Sequence, residues 1–105
     1  MTNPYGFEDI DPNELQRRLD AGDATIIDVR EEFEYAQGHI PGATLIPLGE
    51  IPSRVDEIPD DAILVCRTGA RSGNACAWLA TQGKSGLANL DGGTMAWTME
   101  GYDVE

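Results

Sequence analysis

Short apolar runs, separated by helical patterns, limit the fold of this chain more than any other feature of its sequence. The clearest run is residues 62–66, where Ala, Ile, Leu, Val and Cys follow one another without a polar residue. A strand with apolar side chains on both faces has to be covered on both faces, as in a parallel sheet between layers of helices. Together with similar runs at 25–29, 43–46 and 87–90, it predicts an α/β fold with a central parallel sheet.

Helix signals fill the intervals between these runs. Asp11 is a predicted N-cap, with Pro12 at the first helical position and Glu14 at the third. We expect the later helices at residues 31–36, 72–82 and 94–99, with a turn or short helix at 48–55.

The chain is strongly acidic. Nineteen Asp and Glu against seven Lys and Arg give a net charge of −12 over 105 residues. This charge argues against nonspecific nucleic-acid binding and against anionic membrane surfaces, both of which need basic patches. No apolar run approaches the roughly 18 residues of a membrane-spanning helix, and residues 1–10 lack the basic and apolar parts of a secretory signal. We therefore expect a single domain spanning residues 1–105, located in the cytoplasm.

The acidic composition also bears on the environment of the protein. Six of the seven basic residues are Arg, and Lys84 is the only lysine. The like charges of such a surface repel one another at low ionic strength, and salt weakens this repulsion by screening it. The composition favours a halophilic source over an ordinary acidic cytosolic protein.

Few side chains are available for metal or cofactor chemistry. Two cysteines and one histidine are too few for the usual four-ligand structural zinc site. The glycine-rich motifs that bind dinucleotides or nucleoside triphosphates are absent. We expect no metal, no cofactor and no permanent disulfide between Cys66 and Cys76.

Residues 66–72, with the sequence Cys-Arg-Thr-Gly-Ala-Arg-Ser, join a predicted strand to a predicted helix. A loop that enters a helix N-terminus directs several backbone N–H groups to one point, which suits an anion or a thiolate. Arg67 and Arg71 add positive potential, which lowers the pKa of a cysteine, and Gly69 permits a tight curl. The pattern predicts Cys66 as a nucleophile in an anion-binding cradle. The alternative is a buried cysteine at a strand end beside two surface arginines.

Four segments of the chain, in order, resemble the signatures of the rhodanese superfamily of sulfurtransferases. The cysteine loop resembles the active-site loop of that family. The other segments are Asp28-Val29-Arg30-Glu31 with Glu34-Tyr35, then Gly38-His39-Ile40-Pro41-Gly42-Ala43, then Gly92-Gly93-Thr94-Met95-Ala96-Trp97. The resemblance extends from about Ile10 to Glu105, and its one departure, Asp103 in place of a common proline, touches only the C-terminal tail.

The resemblance implies a compact α/β domain with a parallel sheet of about five strands, and Cys66 as the residue that carries sulfur. A small anionic donor such as thiosulfate would pass its outer sulfur to Cys66, and a thiol or a protein acceptor would take it from the persulfide. Arg67 and Arg71 would attract and orient the donor. The terminal sulfur would be held by the backbone N–H groups of the loop, from Arg67, Thr68, Gly69, Ala70, Arg71 and Ser72.

Asp28 and Arg30 lie at a strand end, where they either support the cysteine loop or serve only as scaffold. His39 is the one candidate general base, but its place in the motif favours bracing a turn whose centre is Pro41-Gly42.

The remaining candidates have simpler predicted roles. Cys76 is expected to be a small buried side chain, with a redox role as the alternative. Trp78 and Trp97 are both expected in the core.

Four functions are compatible with the cysteine loop. They are a thiosulfate sulfurtransferase, a persulfide carrier that serves a protein partner, a phosphatase or arsenate reductase, and a non-catalytic module of the same fold. Cysteine phosphatases place five residues between Cys and Arg, whereas four separate Cys66 from Arg71, which leaves a smaller cradle. The presence of Cys66 argues against the non-catalytic module. The first two functions need the same loop, and the sequence leaves them open.

Overall fold

The computed structural model describes residues 3–105, so Met1 and Thr2, which belong to the N-terminal segment searched for an export signal, lie outside the described residues. The elements, in chain order, are β1 (Glu8–Ile10), α1 (Pro12–Asp20), β2 (Ile26–Asp28), α2 (Glu32–Ala36), β3 (Thr44–Leu45), two 3₁₀ helices (Leu48–Ser53 and Val55–Glu57), β4 (Ile63–Val65), α3 (Ala70–Thr81), β5 (Ala88–Leu90) and α4 (Gly93–Met99). None of the helices within residues 3–105 is both long and apolar enough to cross a membrane.

The five strands pair in parallel in the order β1-β5-β4-β2-β3. The predicted α/β fold with a parallel sheet of about five strands is confirmed. The strand that no sequence run predicted is β1, which carries Glu8 and Asp9 and joins the sheet edge by pairing with β5. The order places β4 at the centre, so the residue after it emerges in the middle of the carboxyl edge of the sheet.

Both faces of the sheet are buried, as the apolar runs require. Along β4, Leu64 packs into one apolar cluster, while Ile63 and Val65 pack into the other. The first cluster includes Leu79 of α3, and the second includes Trp97 of α4. The sheet is therefore held between helical layers.

The helix starts follow their capping residues. Asp11 Oδ1 accepts a hydrogen bond from the Glu14 N–H at 2.8 Å, and Pro12 is the first residue of α1, so this predicted start is confirmed. The helix predicted from residue 72 begins two residues earlier, at Ala70. Gly69, with φ of +100°, supplies the left-handed turn from which α3 starts.

The two tryptophans differ. Trp97 is 1% exposed and donates its indole N–H to the Asp103 carbonyl at 2.8 Å, which confirms its place in the core. The prediction for Trp78 is wrong, because 37% of that residue is exposed. Its neighbour Leu79 takes the core-facing position of α3, and Trp78 lines an apolar groove with Leu48 of the first 3₁₀ helix.

Candidate active site

Cys66 directly follows the central strand β4, and its thiol is the point on which the loop converges. Its Sγ accepts hydrogen bonds from the Gly69 N–H at 3.1 Å and the Ser72 N–H at 3.4 Å, and it lies 3.2 Å from Ser72 Oγ. The residue is completely buried, so the surroundings of the sulfur are set by the protein. The loop thus directs the Gly69 and Ser72 N–H groups, two of the six that the sequence suggested, to one sulfur at the end of a strand and the start of a helix.

The balance of two effects sets the pKa of Cys66. Burial raises it, because a thiolate loses its hydration, but the Ser72 hydroxyl and backbone N–H lower it by hydrogen bonding to the sulfur. The backbone N–H groups of Thr68 and Gly69 add to this effect, and the pKa of Cys66 falls below the ordinary cysteine value. The cradle therefore favours the nucleophilic thiolate.

The carbonyl groups of Cys66 and Arg67 point toward the start of α4. The Thr94 N–H donates to the Cys66 carbonyl at 2.8 Å, and the Met95 N–H donates to the Arg67 carbonyl at 3.0 Å. Gly93 makes this approach possible, because a Cβ at that position would lie 2.3 Å from Arg67 O and 2.4 Å from Cys66 O. Sequence reasoning placed these residues in a family motif without assigning them this role.

Arg71 is held by a carboxylate that lies 37 residues away in the chain. Its two terminal nitrogens donate to the two oxygens of Glu34 at 2.8 and 2.9 Å. Glu34 also accepts the Glu31 N–H at 3.0 Å at the start of α2. The hydrogen bond from Arg71 is the main cause that lowers the pKa of Glu34 to about 2, so the pair is ionised at neutral pH.

Arg67 stands apart from the other arginines. Within residues 3–105 it makes no salt bridge, whereas a carboxylate lies within 4.0 Å of Arg17, Arg18, Arg30, Arg54 and Arg71. Arg67 is exposed and lines a groove of about 250 Å³ together with Gln37, Thr94 and Met95. Its guanidinium is free to meet an anion that enters this groove.

Asp28 and Arg30 form a buried bidentate pair at the end of β2. The closest contact joins Arg30 Nη2 to Asp28 Oδ2 at 2.8 Å, and the same nitrogen donates to the Gly38 carbonyl at 2.8 Å. The pair therefore ties the β2 end to the loop after α2. Arg30 also lines the groove beside Arg67.

His39 lies just before the turn at Pro41-Gly42 and contacts Tyr35 and Glu105, and its role in bracing that turn stays a prediction. Its ring stacks on Tyr35 with centroids 3.7 Å apart, and its backbone exchanges two hydrogen bonds with Glu105, at 3.1 and 2.8 Å. The turn at Pro41-Gly42 is the predicted type II turn, because Gly42 has φ of +83° and a hydrogen bond joins the residues on either side of the pair.

Cys76 has a different environment from Cys66. It is completely buried in α3, its thiol lies 3.5 Å from the Ala88 carbonyl, and burial raises the pKa of Cys76 to about 12. The expectation of a small buried side chain is confirmed.

Behind the cradle lies a polar contact that sequence reasoning missed. Ser72 Oγ is 2.5 Å from Asn89 Oδ1, and Asn89 Nδ2 donates to the Gly69 carbonyl at 3.2 Å. Asn89 is the one polar residue in the short apolar run at 87–90, and that isolation was the available signal. Within residues 3–105, no group of three or more His, Cys, Asp or Glu is arranged to hold a metal ion.

Comparison with known proteins places this site in a family context. Residues 11–100 match the model of the rhodanese-like domain. The chain is 43% identical over 99 residues to a protein named sulfurtransferase from Allochromatium vinosum, covering 91% of this chain and 92% of the relative. It is 38% identical over 97 residues to the putative sulfurtransferase YtwF of Bacillus subtilis, covering 90% of this chain and 93% of the relative.

A solved structure has the same fold. A thiosulfate sulfurtransferase from Pseudomonas aeruginosa aligns with a TM-score of 0.85 and 33% sequence identity, over 94% of this chain and 20% of that one. The family match, the relatives and this structural likeness agree with the motifs and the parallel sheet. The chain belongs to the rhodanese-like domain family, with sulfurtransferases as its relatives.

Proposed function

We propose that this chain transfers sulfane sulfur from a small anionic donor of the thiosulfate type, with Cys66 carrying the sulfur as a persulfide. The observation that carries the proposal is the convergence of hydrogen-bond donors from Gly69 and Ser72 on the Cys66 sulfur, at the central point of the sheet edge. Arg67, the residue that follows Cys66, is exposed and makes no salt bridge within residues 3–105, which supports an anionic donor.

The reaction has two balanced steps. The Cys66 thiolate attacks the outer sulfur of thiosulfate, a new S–S bond forms, and sulfite leaves with the electron pair of the bond that breaks. A thiophilic acceptor such as cyanide then attacks the outer persulfide sulfur, and the electron pair of the Cys66 S–S bond returns to Sγ as the thiolate. Each displacement is easier than direct transfer between two anions, which is the advantage of a covalent intermediate.

The lowered pKa of Cys66 supports both steps. In the first step it supplies the thiolate without a separate base, and in the second it makes Sγ a better leaving group. The N–H groups around the sulfur also offer donors to the negative charge of the persulfide. No titrating residue besides Cys66 is needed.

The two arginines of the loop take different roles in this proposal. Arg67 binds the sulfonate end of the donor, because it makes no salt bridge within residues 3–105. Arg71 keeps its bidentate bond to Glu34 and positions the first turn of α3, and its charge also acts on the nearby Cys66. The sequence prediction treated both arginines as donor-binding residues.

Steady-state sulfur transfer to cyanide tests these roles. Arg67→Ala should raise the KM for thiosulfate about tenfold or more, since a hydrogen bond to a charged group contributes about 1.5–3 kcal/mol. Arg54→Ala is the matched control, because Arg54 is held by Glu50 on the first 3₁₀ helix and Glu57 on the second. Equal KM values for wild type, Arg67→Ala and the control would remove Arg67 from donor binding.

Variants of the two cysteines test the nucleophile. Cys66→Ser should abolish transfer, whereas Cys76→Ser should retain most of it, because the Cys76 thiol lies against the Ala88 carbonyl and burial raises the pKa of Cys76 to about 12. An active Cys66→Ser variant would overturn the proposed function.

A further inference from the structure

Asn89 is a buried amide on β5, between β1 and β4, whose polar atoms bond both to the sulfur loop and to the edge strand β1. It is 5% exposed and stands on β5 between Ala88 and Leu90. Its Oδ1 contacts Ser72 Oγ at 2.5 Å, and its Nδ2 donates to the Gly69 carbonyl at 3.2 Å and to Asp9 Oδ1 at 3.1 Å. Asn89 therefore occupies a core position that an aliphatic side chain could fill, and both its amide oxygen and its amide nitrogen are hydrogen-bonded.

The helix that faces Asn89 is adapted to this amide. Gly73 lies inside α3, where glycine lowers helix stability relative to alanine. A Cβ on Gly73 would lie 3.3 Å from Asn89 Nδ2, tighter than most such contacts. The missing side chain thus lets the amide approach the first turn of α3, next to Ser72.

Ser72 cannot satisfy both of its partners at once. Its hydroxyl has a single hydrogen, and its Oγ lies 3.2 Å from Cys66 Sγ and 2.5 Å from Asn89 Oδ1. When Cys66 is a thiol, the S–H can donate to Ser72 Oγ while the hydroxyl donates to Asn89. When Cys66 is a thiolate, it has no hydrogen to donate, and a Ser72 hydroxyl that turns to bond the sulfur leaves two buried oxygens in contact with no hydrogen between them.

We propose that Asn89 is a positioning residue for sulfur transfer. Its Oδ1 draws the Ser72 hydrogen away from Cys66 Sγ, and this arrangement of the hydrogen is unfavourable only when Cys66 is the free thiolate. This inference rests on the proposed function in assigning Cys66 as the sulfur carrier. In the persulfide, the negative charge lies on the outer sulfur, so Sγ no longer needs the Ser72 hydrogen and Asn89 recovers it. Asn89 therefore favours the loaded state over the empty thiolate and keeps the empty thiolate reactive.

The charged and titratable groups near Cys66 and Asn89 do not take part in the hydrogen bond between Ser72 and Asn89. Arg71 and Cys76, both on α3, have a charge interaction with Cys66, and the hydrogen bonds of Asn89 go to Ser72, Gly69 and Asp9 instead. Asp9 on β1 contacts the far side of the amide and is exposed. Replacing Asp9 with Asn keeps an oxygen for Asn89 Nδ2, which provides a matched control.

The test measures the pKa of Cys66 without any sulfur donor, so its outcome does not depend on turnover. The rate of iodoacetamide labelling is followed against pH, with Cys66 distinguished from Cys76 by mass spectrometry of their peptides. Asn89→Ala and Asn89→Leu should lower the Cys66 pKa by about one pH unit, because the cost of leaving a buried oxygen unsatisfied disappears. Ser72→Ala should raise it, and Asp9→Asn should leave it unchanged.

A role that acts through Ser72 also predicts that the substitutions are not additive. In the Ser72→Ala background, Asn89→Ala should have no further effect on the Cys66 pKa. An unchanged or raised pKa in the two single Asn89 variants would overturn the proposal, and so would an equal effect of Asn89→Ala with and without the Ser72 hydroxyl.

A measurement on the unsubstituted protein does not depend on whether the variants fold. The side-chain amide resonances of Asn89 should shift with pH at the midpoint at which Cys66 titrates, and should return toward their low-pH positions when Cys66 carries the extra sulfur. Amide resonances that ignore the titration of Cys66 would overturn the proposal. Failure of the proposed function would instead appear as the absence of any persulfide on Cys66, with the titration intact.

Discussion

Replacing Gly93 with alanine should displace the backbone of the Cys66 loop, because the new Cβ would meet its carbonyl side. Gly93 begins α4, has φ of +62° and faces the carbonyl side of the loop. A Cβ there would lie 2.3 Å from the Arg67 carbonyl oxygen and 2.4 Å from that of Cys66. These atoms are backbone, so they cannot move aside without displacing the loop.

Two costs add in this variant. A left-handed conformation costs an L-residue about 1–2 kcal/mol, and overpacking of a close contact costs about 1–3 kcal/mol more. Because about 1 kcal/mol corresponds to about 4–8 °C in Tm for a domain of this size, Gly93→Ala should lower the Tm by more than about 10 °C. A loop displaced by about 1 Å should also lower kcat/KM about a hundredfold in the folded protein.

Gly22→Ala is the matched control. Gly22 has φ of +78°, but a Cβ there would meet nothing within 4 Å. It therefore carries the conformational cost without the clash, and its Tm should fall by about 4–16 °C with kcat/KM unchanged. Thermal melts and cyanide-coupled assays on both variants separate the two costs. Equal losses of Tm and activity in the two variants would refute the claim that Gly93 is required for close packing against the loop.

Three further predictions concern charge and selectivity. The Arg71 hydrogen bond lowers the pKa of Glu34 from 4.5 to about 2. The ionised carboxylate therefore stabilises the fold above its unfolded pKa, and this stabilisation is lost as the pH falls from 4.5 toward 2. In thermal melts over that pH interval, the Tm of Glu34→Gln should fall less than the Tm of wild type. A net charge of −12 should make Tm rise with KCl, most steeply at low concentration, and a flat or falling Tm would end the halophile interpretation. Hydrolysis of p-nitrophenyl phosphate should stay at background, and turnover that depends on Cys66 would contradict the loop-size argument.

The parts of the fold that could be predicted are those fixed by local physics. The apolar run at 62–66 contains the central strand. A strand that is buried on both faces needs apolar side chains on both faces, so it appears in the sequence as a continuous apolar run. Asp11 and Pro12 fix the start of α1, and the hydrogen bond from the Glu14 N–H to the Asp11 side chain joins residues only three positions apart in the sequence. Cys66 could be placed at the sheet edge because the strand and the loop are contiguous in sequence.

The parts that could not be predicted depend on contacts between distant segments. Strand β1 is held by its backbone pairing with β5, so its acidic residues gave no strand signal. The contact between Glu34 and Arg71 spans 37 residues and requires the relative placement of α2 and α3. Trp78 was misplaced because its helix is apolar on more than one side, and the sequence alone does not say which side meets the sheet.

The most direct test of the central claim is mass spectrometry of the protein after a brief exposure to thiosulfate. The account predicts a gain of one sulfur atom, about 32 Da, on the peptide that contains Cys66, accompanied by one sulfite released for each protein loaded. The peptide that contains Cys76 should be unchanged, and Cys66→Ser should show no gain. A protein that gains no sulfur, or gains it on Cys76 while Cys66 stays free, would contradict the account.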